Sequence, residues 1–336
     1  MELCYLLAFP DVTEGQPPPS EPFRGLKDAP YFQPVDIQLH TIGEEMVEIH
    51  GRQVSVLRQY FDGRAQVVEF RYDVGDPFLS TALSTRQQME LALQNRFVPE
   101  PYRKSGLFEE YTILLVGKAR PSPDQWIASH QAALARFIRS QREMLDPAEI
   151  GEILGSRVRY SKNDLTLVDW EAAVIIASDG DFQSDITLLK IGNYQLLRYR
   201  MLGQSVESML GQINAEFLEN RKRPLRPGPT RATIRRVIQH RLEVMLDFEH
   251  TEQNLLLIGD WYTAKVYEAI RDEFYLEEWK SAVRDKLGNL ESIIETIQAN
   301  FSLTWSGLME RVELAGWLIL LIGYIILYFF DARLIK

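Results

Sequence analysis

The feature that most constrains this chain is an uncharged, apolar run near its carboxyl end. The run covers seventeen residues, from Leu314 to Phe330, and charges such as Glu313 and Asp331 bracket it. As a helix it would rise about 25 Å, the lower end of what a bilayer core requires. Because the run is apolar on every helical face, the sequence predicts one transmembrane helix over 314–330 in contact with the lipid bilayer, followed by a short tail over 331–336.

The amino-terminal residues bear on where such a protein would lie. The segment MELCYLLAF has no basic region of the kind that opens a signal peptide, so we expect a buried strand that ends at Pro10. A body without a signal peptide stays in the compartment where it is made. The sequence therefore predicts a single-pass, tail-anchored membrane protein whose body lies on the cytoplasmic side.

The amino-acid composition limits the class of protein to which the chain can belong. The chain has 336 residues, of which 46% are hydrophobic and 25% charged, and its net charge is −10. These values indicate about two globular domains and disfavour a protein that coats nucleic acid. The single cysteine, Cys4, excludes an intramolecular disulfide and a zinc site built from cysteines.

The first part of the chain, over 1–180, has the pattern of a mixed α+β head domain. Its clearest signal is a hairpin, in which alternating segments over 54–61 and 66–72 flank the turn pair Asp62 and Gly63. Further strands are expected over 111–117, 157–168 and 172–177, and helices over 85–97 and from a cap at Asp124 to 145.

The second part, over 181–313, predicts a stem of long helices. Asp181 can cap a helix to about residue 220, Thr230 a second toward residue 274, and a third begins at Glu277 and continues into the apolar run. Apolar residues repeat every seven positions in the third helix, at Leu287, Ile294, Phe301 and Leu308 and at Val283, Leu290 and Ile297. The fold class is therefore α+β, with a coiled-coil-like hairpin after the head.

This heptad seam has two interpretations. The short connection near Tyr275 favours an antiparallel hairpin within one chain. The alternative is a homo-oligomer that forms through the same seam, or through Gly316 and Gly323 on one face of the apolar run.

A basic segment is the best candidate for a binding surface. Eight cations occur here with no acidic residue between the first and the last: Arg221, Lys222, Arg223, Arg226, Arg231, Arg235, Arg236 and Arg241. Such a segment could bind an anionic lipid, an RNA or an acidic protein face. The acidic residues over 243–313 could instead neutralise it within the chain.

No recognised catalytic motif occurs in the chain. The sequence accordingly predicts no cofactor and no metal site, and the acidic loop at Asp179 fits a helix start better than a cation site. If the protein is an enzyme, the candidate polar groups are Asp169, Glu171, Asp179, Asp181, Asp260 and Lys265.

Several short stretches resemble a known family. They are IGDWYTAKVY over 258–267, EWK over 278–280, DWEAAV over 169–174 and GNYQLLRYR over 192–200. This half of the chain is similar to a group of uncharacterised conserved membrane-anchored proteins, distantly related to the "required for meiotic nuclear division" proteins. The resemblance implies a membrane-anchored architecture, and for the mitochondrial relatives a role in organellar translation. It supplies no catalytic residues.

Two functions follow as hypotheses. The first is a membrane-tethered interaction or scaffold protein, in which the stem holds the head away from the bilayer and the partner is unidentified. The alternative is a membrane-associated enzyme with an unrecognised site in the head or where the head meets the stem.

Overall fold

The computed structural model describes residues 1–11, 37–79, 81–221, 235, 238–239, 241–246, 248–249 and 261–334. The chain divides into two compact units. The first comprises Met1–Gly203 and Leu246–Val283, and the second comprises Gln204–Met245 and Arg284–Lys336.

An eight-stranded sheet is the centre of the first unit. Its strands are β1 (Glu2–Pro10), β2 (Leu39–Ile49), β3 (Arg52–Phe61), β4 (Ala65–Asp73), β5 (Glu109–Val116), β6 (Arg157–Val158), β7 (Leu165–Val168) and β8 (Ala172–Ile176). They lie in the order β2-β3-β4-β1-β5-β8-β7-β6. All neighbours are antiparallel except β5 and β8, which run parallel with Thr112 opposite Ala172. The predicted α+β class is confirmed.

Some helices lie between the strands in sequence, and the longest of those described follow the last strand. They are α1 (Ala82–Phe97), α2 (Glu100–Ser105), α3 (Pro123–Ile138), α4 (Pro147–Ile153), α5 (Gln183–Arg221), α6 (Trp261–Glu273) and α7 (Leu276–Leu334). Helical residues are also described between α5 and α6, at Arg235 and over 238–239, 241–246 and 248–249.

The hairpin of β3 and β4 forms where the sequence predicts it. Asp62 and Gly63 adopt φ angles of 53° and 59°, as a tight turn with two left-handed residues requires. The Asp62 carboxylate also accepts bonds from the backbone N–H of Gln38, at 2.7 Å, and from the Tyr194 hydroxyl, at 2.6 Å. The turn is thereby attached to α5.

Helices cover both faces of the sheet. On one face, Met89 and Leu93 of α1 and Leu134 and Ile138 of α3 pack into the main apolar core. On the other face, Ile191, Tyr194 and Leu197 of α5 pack against strand residues that include Phe61 and Val67. The sheet is therefore buried between two helical layers, which explains why most residues of β1 and β8 and the second half of β5 are apolar.

Helices α5 and α6 pack closely at Gly192. A Cβ atom added at Gly192 would overlap the Ile270 Cγ2 atom and would lie 3.3 Å from the Phe274 ring. Only a residue without a side chain fits this contact, so Gly192 sets the separation of the two helices.

A buried ionic network joins α5 to the sheet. The Lys190 ammonium pairs with the Glu69 carboxylate and donates to the Gln59 Oε1 atom at 3.0 Å. Arg71 Nε donates to the other Glu69 oxygen at 2.5 Å. Burial raises the pKa of Glu69, but the two cations outweigh that effect and hold the pKa below its ordinary value of 4.5.

In the second unit, long helices pair through charges and apolar residues. Lys286 of α7 donates to Glu207 of α5 at 2.6 Å, and Arg241 pairs with Glu291 of α7 at 2.7 Å. Leu287 and Leu290, two of the predicted heptad residues, are buried. The heptad residues from Ile294 onward lie outside the described side chains.

The prediction of a transmembrane helix over 314–330 must be corrected. Among the residues that the structure describes, no helix is long and apolar enough to cross a membrane. The apolar run is part of α7, but its seventeen residues rise about 25 Å against a hydrocarbon core of about 30 Å, and charged residues stand at both ends. The predictions of a single-pass, tail-anchored protein and of a localisation at the membrane are therefore wrong.

Candidate functional site

The acidic residues before α5 accept hydrogen bonds from nearby backbone N–H groups. The Asp179 carboxylate accepts a bond from the backbone N–H of Asp181 at 3.0 Å, and the Asp181 carboxylate accepts one from Gln183 at 3.1 Å. Lys265 pairs with Glu268 on the surface of α6. Asp260 lies outside the described residues.

The basic segment is described only in part. Arg221 is the last residue of α5, Arg235 is exposed, and Arg241 forms the pair with Glu291. Lys222, Arg223, Arg226, Arg231 and Arg236 lie outside the described residues. Both interpretations of this segment stay predictions.

A cleft at the amino-terminal ends of the parallel strands β5 and β8 is the best candidate site. We call it the strand-end cleft. It has a volume of about 440 Å³ and is formed by Arg86 and Glu90 of α1, residues 106 and 108–112 at the start of β5, Ser140, Trp170 and Glu171 before β8, Asn193, Leu196 and Arg200 of α5, and Phe274. Of the candidates named above, it contains Glu171 and adjoins Asp169.

Glu109 is a carboxyl group of this cleft whose acidity is perturbed. Burial raises the pKa of its carboxyl group to about 7, although Arg200 pairs with it and favours the charged form. The same guanidinium also donates to the backbone oxygen atoms of Phe108, at 3.1 Å, and Gly106, at 2.5 Å. At neutral pH the Glu109 carboxyl is therefore near its midpoint of ionisation.

Glu90 lies on the face of the sheet opposite to the one that carries Glu109 and Arg200. Thr112 donates to its Oε1 atom at 2.6 Å, and the Arg86 Nε atom lies 3.1 Å from the same oxygen. Burial raises the pKa of Glu90, and these two neighbours only partly oppose the effect. Arg86 is itself held by the backbone oxygen of Phe137, at 2.8 Å, and by the Ser140 hydroxyl.

Further carboxyl groups lie around the mouth of the cleft. Burial raises the pKa of Glu171 and of Asp169, even though Arg139 approaches the Asp169 carboxylate to 3.3 Å. Glu110 accepts bonds from the Gln94 amide, at 2.5 Å, and from the Tyr5 hydroxyl.

Aromatic rings form the apolar wall. The rings of Tyr111 and Phe274 lie 4.9 Å apart, and those of Trp170 and Phe274 lie 6.2 Å apart. The Tyr111 hydroxyl donates to the backbone oxygen of Asp169 at 2.6 Å, which fixes the segment that carries Trp170 and Glu171. The cleft thus presents carboxyl groups beside fixed aromatic faces.

A second buried acid lies at the start of α5. The Tyr262 hydroxyl donates to Asp185 at 2.9 Å, and Thr166 donates to the same carboxylate. Burial raises the pKa of Asp185, and the two hydroxyl groups oppose this only in part. Within the described part of the chain, no three histidine, cysteine, aspartate or glutamate side chains are placed to hold a metal ion.

The comparisons with known proteins place the chain near an uncharacterised family. A family model described as "Uncharacterized protein MJ0711, N-terminal domain" matches residues 24–183. The chain is 26% identical, over 214 residues, to uncharacterized protein MJ0711 of Methanocaldococcus jannaschii, and the match covers 64% of this chain and 65% of that protein. No solved structure matches. These matches support an uncharacterised conserved family, and they do not extend to the meiotic nuclear division proteins or to membrane anchoring.

Proposed function

We propose that the strand-end cleft binds a small organic cation and that Glu109 exchanges a proton with the bound molecule. The observation that carries the proposal is the composition of the cleft. Among the described residues that line it, four are glutamates, at 90, 109, 110 and 171, and two are arginines, at 86 and 200. Acid–base chemistry here would make the protein an enzyme, the alternative hypothesis from the sequence.

The arginines do not cancel the attraction for a cation. Arg200 donates to two backbone oxygens and to Glu109, and Arg86 donates to Phe137 and Ser140. These bonds occupy donors of both guanidinium groups, whereas each carboxylate has further lone pairs that can accept a bond from a ligand. The faces of Trp170 and Phe274 add the attraction between an aromatic ring and an organic cation.

Glu109 gives the cleft a chemical capability as well as an affinity. A carboxyl group with a pKa of about 7 can accept or donate a proton at neutral pH, which is the property of an efficient general acid or base. A bound amine that loses its proton to Glu109 becomes a nucleophile. The proposal therefore names proton transfer at an amine as the reaction class.

The test uses benzylamine as the probe and benzyl alcohol as a neutral molecule of similar shape. We expect the full-length protein to bind benzylamine, measured by calorimetry, and to bind benzyl alcohol at least about tenfold more weakly. Affinity should rise between about pH 6 and pH 8, because Glu109 ionises there while a primary amine stays charged. Equal binding of the two probes would refute the proposal.

Two variants localise the binding. Glu171→Gln alters an exposed residue and should fold normally, yet it should weaken benzylamine binding several-fold. Glu143→Gln is the matched control, because it removes an exposed carboxylate outside the cleft. Glu109→Gln should abolish the pH dependence near 7. A Glu171→Gln protein that binds like the control would place the amine elsewhere.

A second candidate function is self-association through α7, in line with the predicted homo-oligomer. Large apolar side chains over 314–324 are exposed, including Leu318 at 60% and Leu321 at 60%, and a surface of this kind marks an interaction site. A Cβ atom added at Gly316 or Gly323 would meet nothing within 4 Å, so a second helix could approach there. The coiled-coil-like hairpin and the kinship with the meiotic nuclear division proteins are likewise proposals.

Light scattering tests this second function. Leu321→Glu should convert an oligomer to a monomer, whereas Ser292→Glu, which adds the same charge at an exposed position of α7, should leave the mass unchanged. A monomer for the unmodified protein would exclude self-association.

A further inference from the structure

A second cavity lies away from the strand-end cleft, between the segment 74–79 and helices α1 and α3. Its volume is about 250 Å³. We call it the arginine-rimmed pocket. Its walls are formed mainly by apolar side chains, among them Leu3, Phe78, Leu83 and Phe137. The Phe78 ring is held 5.4 Å from the His130 ring and 6.1 Å from the Trp126 ring, so this wall is fixed by packing.

The charge of this pocket is one-sided. Among the described residues that line it, three are arginines, at 86, 136 and 142, and none is acidic. Arg86 pairs with Glu90, which leaves the charges of Arg136 and Arg142 beside an apolar pocket, where an anion would be stabilised. The pocket therefore differs from the strand-end cleft in the sign of the charge that it favours.

The three arginines have different roles. Arg86 is buried, its guanidinium is held by Phe137 and Ser140, and it pairs with Glu90, so it forms the back of the pocket without offering a free charge. Arg136 donates only its Nε atom, to the backbone oxygen of Ala132 at 3.3 Å. Arg142 is exposed, and within the described part of the chain it forms no ion pair. The terminal nitrogens of Arg136 and Arg142 are therefore the groups that can bind a ligand.

The volume limits the size of that ligand. A space of about 250 Å³ equals about eight water molecules at their liquid volume, which is room for a chain of about six carbons with a carboxylate. A planar carboxylate is the anion that guanidinium groups bind with paired hydrogen bonds.

We propose that the arginine-rimmed pocket binds a small amphipathic carboxylate, with its apolar tail among Leu83, Phe78 and Phe137 and its carboxylate on Arg136 and Arg142. Apolar walls supply the affinity for the tail, and the two arginines at the rim select the acid over the corresponding alcohol. The site is independent of the proposed amine site, because the two ligands carry opposite charges and only Arg86 borders both spaces.

The experiment measures binding of hexanoate and of hexan-1-ol to the full-length protein by ligand-observed NMR. For a ligand of this size, we expect the protein to bind hexanoate with a Kd on the order of 1 mM. It should bind hexan-1-ol at least about fivefold more weakly. Equal binding of the acid and the alcohol, or no binding of hexanoate at about 20 mM, would overturn the proposal.

Variants of the rim and of the wall locate the site. Arg136→Gln with Arg142→Gln should weaken hexanoate binding about tenfold. The control pair is Lys118→Gln with Lys162→Gln, which removes two exposed positive charges elsewhere in the same unit and should change binding less than twofold. If both pairs weaken binding equally, the protein attracts hexanoate only through its overall charge and the assignment is wrong.

A variant that fills the pocket tests the apolar interior independently of the arginines at the rim. Ala133→Leu adds three carbon atoms at a lining position of α3 and keeps a residue that favours helix, so it should fold. It should reduce hexanoate binding at least about fivefold and leave benzylamine binding unchanged. Unchanged hexanoate binding would show that the tail lies outside the pocket.

Discussion

The buried pair of Lys190 and Glu69 gives the sharpest test of how α5 is fixed to the sheet. The two residues are only 2% and 3% exposed. Replacing Lys190 by Met leaves the Glu69 carboxylate with Arg71 alone and removes the donor for the Gln59 Oε1 atom. Breaking a buried ion pair from one side costs about 3–5 kcal/mol, and since Arg71 remains, we expect about 3 kcal/mol in the free energy of unfolding.

The pH dependence of this loss follows from the pKa of Glu69. In the unmodified protein that pKa lies below 4.5, so the stabilisation is present above about pH 4.5 and is lost as the pH falls through the folded-state pKa. Without Lys190, only Arg71 opposes the effect of burial, so we expect the pKa of Glu69 to rise. The destabilisation of Lys190→Met should therefore be largest near pH 7 and should shrink toward about pH 5, as the carboxyl takes up a proton.

Urea unfolding followed by circular dichroism measures both effects. Lys162→Met is the control, because Lys162 is exposed and its loss should change stability by less than about 0.5 kcal/mol. The double variant Lys190→Met with Glu69→Gln should recover at least about 1 kcal/mol, since no carboxylate is then left in this network. A loss below about 1 kcal/mol for Lys190→Met, or one that grows as the pH falls, would refute the reasoning.

Two further predictions concern packing and the second buried acid. Gly192→Ala should destabilise the protein by about 1–3 kcal/mol in urea unfolding, because its methyl group would displace Ile270; an unchanged midpoint would show that α5 and α6 separate freely. Tyr262→Phe removes the bonds at 2.9 and 3.1 Å to the buried Asp185 and should cost about 1–2 kcal/mol at neutral pH, with the pKa of Asp185, followed by carboxyl NMR, moving further up. A downward shift of that pKa would contradict the stabilising role given to the hydroxyl.

The fold could be predicted from the sequence wherever the signal is local. The β3–β4 hairpin follows from Asp62 and Gly63, which tolerate positive φ angles. The sequence does not predict strand β2. This strand lies at the edge of the sheet, and residues such as Glu44 and Glu45 make it mostly polar. The cap of α3 is Ser122, whose Oγ accepts the Gln125 N–H at 3.3 Å, rather than the predicted Asp124. The sequence did contain this cap, since a serine followed by Pro123 is a typical helix start.

The strand-end cleft could not be predicted from the sequence, because its residues become neighbours only through long-range pairing. Glu171 joins the cleft since Thr112 of β5 lies opposite Ala172 of β8. Glu109 acquires its pKa of about 7 from burial beneath α5, whose Arg200 is 91 residues further along the chain. Local spacing around Glu109 indicates only the start of an apolar strand. The property that makes this residue a candidate acid or base therefore belongs to the packing of α5 on the sheet. It follows that Lys190→Met, which weakens that packing, should also lower the pKa of Glu109 toward its ordinary value by admitting water.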